Sequence, residues 1–336
     1  MKQDREENHK NPIINLLKIE WKYLRTERKI FLFYMSLFVI ANIISLASPL
    51  IMGLIFNSIQ NDITSDAELR GLIFKITLLL AVTVGFWIFH GTARYLETKT
   101  GFLVKRNYRN SKISRVLELP ISWHKDHHSG DTIDKISKSS SGIGGFSKWM
   151  TFRIVEGVIG LFGSIAVLLF IDFRAAIFAL LFSFVTLYII LKFDKRLNEK
   201  YKEINKYENK ASASVFDYLS NIITVITLRM KKTVRKEIDS KIMRAYEPTK
   251  NTAVLNEYKW AFASIAISFM TVVVLSWKAY EDFTTTGIIL IGTLYILYGY
   301  LERVGSTFYN FASLYGDMVE INARILNAEP IDKEFD

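Results

Sequence analysis

Six long apolar blocks restrict this chain more than any other feature. They are "IFLFYMSLFVIANIISLASPLIMGLIF" (30–56), "GLIFKITLLLAVTVGFWIFH" (71–90), "IVEGVIGLFGSIAVLLFI" (154–171), "AAIFALLFSFVTLYIIL" (175–191), "WAFASIAISFMTVVVLSW" (260–277) and "GIILIGTLYILYGYL" (287–301, crossing expected over about 286–304). A helix needs roughly 20 apolar residues to cross roughly 30 Å of hydrocarbon. A soluble chain of 336 residues would show strand alternation or glycine-punctuated α/β units instead. The expectation is an all-α membrane protein with six transmembrane helices. The absence of cysteine rules out disulfides and thiolate metal sites.

The net charge of +10 could suggest nucleic acid, but its distribution argues for topology. Residues 1–29 carry eight Lys/Arg, 92–153 twelve and 192–259 sixteen, whereas "NSIQNDITSDAELR", "DFR" and "KAYEDFTTT" are poor in positive charge. The positive-inside rule then places both termini and the two long basic segments in the cytoplasm of a multi-pass plasma (inner) membrane protein, with no nucleic-acid partner. "SLASP" has the small residues of a processing site, but the basic leader before it is too long for a signal peptide. Within the 1–29 leader, Ile13, Leu17, Trp21 and Leu24 share a helical face, with Lys18, Lys22 and Arg25 elsewhere, as in a helix lying on the inner leaflet.

The two basic segments read as helical hairpins. Residues 92–118 would reach roughly 40 Å and 131–153 roughly 35 Å, and 192–218 and 231–259 match each other similarly. Pro120 stops the first outgoing helix, and Asp131 can cap the returning one, with Asp134 in its first turn. The first tip is then "ISWHKDHH", with Ile121 and Trp123 free to dock. The second, "YLSNIITVITLRMKK", offers Leu219, Ile222, Val225 and Ile226. Such elements are contact points for a partner. His124 and His128, spaced i, i+4 near Asp131, could chelate a divalent ion, but no HExxH or second ligand cluster accompanies them, so no metal is expected.

Polar groups within apolar spans face cavities or neighbouring helices. Candidates for a substrate cavity are Asn42, Trp87, His90, Tyr295, Tyr298, Glu302, Arg303 and Asn310; Ser45, Ser48 and Thr83 read more simply as packing contacts. Glu156 lies one turn from Arg153, suggesting a local ion pair rather than a cargo site. Gly157, Gly160 and Gly163 suit close helix packing.

Three stretches carry a family resemblance: "LELPISWHKDHHSGDTIDKIS", "DYLSNIITVITLRMKK" and "TTTGIILIGTLYILYGYLERVGSTFYNFASLYGDMVEINARILNAEP". In order on a six-span frame, they resemble the transmembrane domain of an ATP-binding-cassette exporter over about residues 15–330. The resemblance implies a domain over 30–330, followed by a truncated linker at 331–336. It also implies coupling helices at the tips that seat in nucleotide-binding domains. Carried over, the first is Leu119, Pro120, Ile121, Trp123 and His124, running to His128, with Gly130 in the turn. The second is Asp217, Leu219, Asn221, Ile222, Thr224 and Val225, running to Arg229. A homo- or heterodimeric partner half is implied, with ATP and Mg on the nucleotide-binding domain and none on this chain.

The chain departs from that pattern in one respect. Its only glycine-rich run, "SSSGIGGFSKW" (139–149), lacks the GxxxxGK[ST] spacing that cradles phosphates, so no ATPase site is expected here. The ATPase would lie on another polypeptide, or the chain is a fragment, or the ATPase has been lost. Three functions compete: the membrane-spanning half of an ATP-driven exporter working by alternating access, a non-transporting scaffold or remnant paired with a full transporter, and a secondary transporter. The last would leave the long stalks unexplained.

Overall fold

Proline and asparagine begin the fold. In the computed structural model, which describes residues 11–127 and 129–333, the Asn11 side chain accepts from the Ile13 N–H at 3.0 Å, and Pro12 opens helix α1 (Pro12–Leu24). Pro at the first helical position loses no internal hydrogen bond. After a short 3-10 turn comes α2 (Arg28–Gln60), then α3 (Asp66–Glu118). A reciprocal capping box between Ser65 and Glu68 opens α3. The short α4 (Ile121–Asp126) follows Pro120, and α5 (Ser129–Gly145) returns. A π-helical segment (Phe146–Met150) leads into α6 (Thr151–Ile171). Then come α7 (Phe173–Ser220), α8 (Ile222–Thr227), α9 (Lys231–Met243), α10 (Tyr246–Thr286), α11 (Ile291–Leu326) and α12 (Pro330–Lys333). No strand occurs among the described residues.

The expected all-α membrane architecture is present. Among the described residues, five continuous stretches, Pro12–Gln60, Asp66–Glu118, Ser129–Ile171, Phe173–Ser220 and Lys231–Thr286, are long and apolar enough to cross a membrane. α11, where a sixth span was expected, is long enough but is not among them. Large apolar side chains stand outward along these helices: Phe170 is 92% exposed and Leu80 64%. In water that surface would be a liability; against lipid it is ordinary.

The chain divides into two compact units, Met1–Ala179 with Val273–Asp336, and Leu180–Val272. In the first, α1, α2, α3, α5, α6 and α11 enclose a core that includes Leu16, Leu24, Tyr34, Phe38, Val104, Tyr108, Phe146 and Met318. α1 has two faces rather than the single expected one. Leu16, Glu20, Tyr23 and Leu24 are buried in the bundle, while Ile14, Leu17 and Trp21 point outward. The start of α11 is capped from α2: Ile291 donates to Gln60 Oε1 and Gly292 to Asn57 Oδ1, both at 2.9 Å. These are two of the amides that a helix start leaves without internal partners.

The second unit is an antiparallel hairpin. Paired contacts step back along one arm as they advance along the other: Ser183 with Met270, Asp194 with Lys259 at 3.0 Å, and Ser214 with Lys241 at 2.6 Å. The returning arm is not one helix, as expected, but turns at Arg244–Ala245 between α9 and α10. Pro248 explains the break, since it cannot donate to the Arg244 carbonyl and its ring crowds that carbonyl.

Candidate functional site

The first tip begins where α3 ends. Leu119 is extended, with φ −69° and ψ 148°, as a residue before proline must be, and Pro120 opens α4. Leu119 is buried, whereas Ile121 is 76% exposed. Trp123 stacks on His127 with centroids 4.2 Å apart and meets His124 edge-on at 5.3 Å, so both described imidazoles lean on the indole. His128, the other proposed chelator, lies outside the described residues. Gly130 is exposed in the first turn of α5. That helix starts at Ser129, two residues before the expected cap, which leaves Asp131 in the first turn and ion-paired with Lys135 at 2.6 Å. An acidic residue still complements the helix dipole there.

The second tip is tighter. Asn221, whose side-chain amide donates to the Asp217 carbonyl at 3.0 Å, precedes α8. The helix closes with Met230 N–H to the Val225 carbonyl at 2.9 Å and Arg229 N–H to the Ile226 carbonyl at 3.1 Å. This Schellman closure places Arg229 in the left-handed region at φ 53°. Val225 turns inward, while Leu219, Ile222, Ile223, Ile226 and Leu228 are exposed; Thr224 and Asp217 are exposed beside them. Just below the tip, Lys241 and Tyr218 donate to Glu237 and hold its carboxyl below the usual range.

Among the proposed cavity residues, the structure gathers Arg303 and Asn310. They line a cavity of about 270 Å³ with Arg153, Glu156, Gly157, Gly160, Ser306, Thr307, Phe311 and Leu314. Pro49 helps to build it. Lacking an N–H, it leaves the Ser45 carbonyl without its helical donor. Arg303 supplies one, with Nη1 to Ser45 O at 3.1 Å and Nη2 to Ser45 Oγ at 2.6 Å. Tyr300 donates to the neighbouring Leu46 carbonyl. The glycines make the room: a Cβ at Gly157 would meet Phe311 at 2.8 Å, and one at Gly163 would meet Leu46 at 2.3 Å.

Other candidates lie elsewhere. Asn42 is buried and spends its amide on the Phe38 carbonyl at 2.9 Å. His90 stacks on Phe86 at 4.8 Å and meets Phe152 at 4.7 Å, with the exposed Trp87 alongside. Tyr295 packs on Phe56 at 5.0 Å, near Tyr298. Glu302 is half-buried and does not line the cavity. Arg153 reaches Asp317 at 3.4 Å, while Glu156, read from sequence as its local partner, lines the cavity. Sequence reasoning missed Ser306 and Thr307, although they follow Arg303 at i+3 and i+4, on its face of the helix. The glycine-rich run is helical, with Gly142 against Ile321 and Gly144 against Lys105, so its glycines admit neighbouring helices.

Membrane-length helices, long helical arms ending in short exposed helices, and a polar cavity within the bundle define an integral, multi-pass membrane protein built as a transporter. More particularly, the chain belongs to the ABC transporter transmembrane region family, whose model matches residues 31–301. Similar curated proteins include the Beta-(1-->2)glucan export ATP-binding/permease protein NdvA of Brucella abortus biovar 1 (strain 9-941) and that of Brucella suis biovar 1 (strain 1330). Each is 24% identical over 304 residues, covering 86% of this chain and 47% of the relative. The chain thus spans about half the length of the curated relatives it matches. The structure of a bacterial Atm1-family ABC exporter with ATP bound shares the fold, with TM-score 0.73 and 14% identity, over 91% of this chain and 54% of that one.

Proposed function

We propose that the chain is the membrane-spanning half of an ATP-driven exporter. It moves cargo from the cytoplasm or inner leaflet outward by alternating access, and a nucleotide-binding domain that carries ATP and Mg supplies the force. The observation that carries this reading is the exposure of Ile222, Ile223 and Ile226 on a six-residue helix at the end of a long hairpin. Apolar side chains held there contribute little to the hairpin itself, and they suit a cleft in a soluble partner. The relatives' names, which join ATP-binding and permease, and the exporter fold support the same reading.

In this reading α4 and α8 are coupling elements. Leu119, Pro120, Ile121, Trp123, His124 and Gly130 act at the first, and Asp217, Leu219, Asn221, Ile222, Thr224 and Val225 at the second. The spans lie near 30–56, 71–90, 154–171, 175–191, 260–277 and 286–304. Both termini face the cytoplasm of the plasma (inner) membrane, and a second half completes a dimer. The cavity around Arg303 and Asn310 offers guanidinium, amide, hydroxyl and carboxylate groups beside the Phe311 ring, which favours a hydrogen-bonding cargo over a purely apolar one.

The test is to reconstitute the chain with its nucleotide-binding domain and compare Ile222→Asp and Ile223→Asp with the unaltered protein. Both sites are exposed, so helix content should be unchanged while partner binding and transport fall. Unchanged binding and transport would overturn the reading.

A further inference from the structure

The N-terminal helix is held to the bundle by a buried polar cluster that coupling and cargo binding do not use. Glu20, on α1, is 1% exposed, and neither carboxyl oxygen has a hydrogen-bond partner among the described residues. Glu97, on α3, is fully buried; it is ion-paired with Arg94, and its Oε1 accepts from the Phe152 N–H at 3.2 Å. Tyr34 on α2, Thr100 on α3, Ser147 in the π-helical segment and Thr151 on α6 bring further buried hydroxyls that make no hydrogen bond among the described residues.

Glu20, Glu97, Tyr34 and Ser147 share one neighbourhood. Ser147 stands beside the Glu20 carboxyl, both glutamates act electrostatically on Tyr34, and Glu20 acts on Glu97. The π-helical segment contributes through its register, since such segments displace side chains from an α-helical path and recur at functional positions. Among the described residues, the other packed elements bring no opposing charge to Glu20. Tyr23 on α1 and Tyr108 on α3 pack together at 5.0 Å, Ser139 on α5 faces Tyr108, and Asn322 on α11 accepts from Asn15 at 2.7 Å.

Charge balance decides the state of the cluster. The one guanidinium here, Arg94, pairs with Glu97, and Glu20 has no cationic partner among the described residues. If both ionised, one negative charge would remain buried and uncompensated, a condition that carboxyls relieve by taking up a proton. Burial, the largest influence on each, raises Glu20 and Glu97 to about 7, with Arg94 working against it at Glu97.

We propose that Glu20 is a proton-binding site whose occupancy fastens α1 to the stalk. As a neutral acid, Glu20 holds its proton among the Ser147 and Tyr34 oxygens and α1 stays seated. On deprotonation the carboxyl O–H bond breaks, the electron pair stays on the carboxylate and the proton leaves to solvent. The uncompensated charge then draws α1 out of the core. α1 packs against α3, which ends at the first tip, and against α11, so its release loosens the root of that arm. The switch stands on the cluster alone and does not depend on the identity of the cargo.

Hydrogen exchange of segment 12–24, measured on the full chain in lipid nanodiscs and corrected for intrinsic base catalysis, tests this. From about pH 6 to about pH 8 the ionised fraction of a group titrating near 7 rises about tenfold. Protection of 12–24 in the unaltered protein should fall by a similar factor, while Glu20→Gln stays protected throughout. Infrared spectra of the unaltered protein supply a second reading that needs no variant. The carbonyl stretch of a neutral carboxylic acid should be present at the lower pH and fade at the higher one, and it should weaken in Glu20→Gln. Equal loss of protection in Glu20→Gln, protection independent of pH in the unaltered protein, or no neutral-acid band at the lower pH would each overturn the proposal.

Discussion

The carbonyl oxygen of Ser45, which Pro49 leaves without a helical donor, is taken by the Arg303 guanidinium at 3.1 Å. A proline in one helix thereby fixes the position of an arginine in another, and that arginine lines the polar cavity. Ser45 is half-buried, and leaving a fully buried acceptor without its donor costs about 1–3 kcal/mol, which sets the upper limit here. Arg303→Met should therefore lower thermal stability in detergent. The loss should be smaller in a Pro49→Ala background, where residue 49 regains an N–H for Ser45. A double-mutant cycle between positions 49 and 303 checks this, and additive effects would contradict it.

Gly292 must remain a glycine. A Cβ there would lie 2.0 Å from the Gly53 carbonyl oxygen and 2.4 Å from Asn57 Oδ1, the oxygen that caps α11. Backbone cannot yield as a side-chain end can, so Gly292→Ala should cost about 1–3 kcal/mol or more. Gly71→Ala meets nothing within 4 Å among the described residues and serves as the control. Thermal unfolding of the two variants should separate them clearly.

Arg229 offers the opposite prospect. It occupies the left-handed position of the α8 closure at φ 53°, where an L side chain is crowded by its own backbone. Arg229→Gly should relieve about 1 kcal/mol. The measurement is hydrogen exchange of residues 222–230, which should slow in the variant.

Stability should depend on pH through Glu20 and Glu97. Their native values lie near 7 against an ordinary 4.5, so between these limits the folded chain holds more protons than the unfolded one. Stability therefore falls as pH rises across that window and levels off above it. For Glu20 the change is at most about 3 kcal/mol. Denaturation midpoints at about pH 5 and about pH 7.5 should differ in the unaltered protein and converge in a Glu20→Gln, Glu97→Gln double variant.

Much of the architecture was legible because its signals are local. Pro120 ends α3 where proline must, and matched arm lengths foretold antiparallel hairpins whose contacts now run in opposite directions. The turn at Arg244 was also readable from Pro248, but helical spacing alone obscured it. What eluded the sequence depends on tertiary pairing. Glu20 draws no reading from the leader's helical pattern, and only the packing of α1 into the bundle reveals it as buried. The cavity likewise needs α6 and α11 side by side before Gly157, Gly160, Arg303 and Thr307 become one surface.

The central claim, that the tips meet a nucleotide-binding domain in the cytoplasm, is tested most directly by single cysteines. The chain contains none of its own, so Ile121→Cys and Ile223→Cys each give one reactive thiol. In native membranes of intact cells both should resist a membrane-impermeant maleimide applied from outside and should cross-link to a nucleotide-binding domain from within. Labelling from outside at either position, or cross-linking that never captures such a domain, would contradict the account.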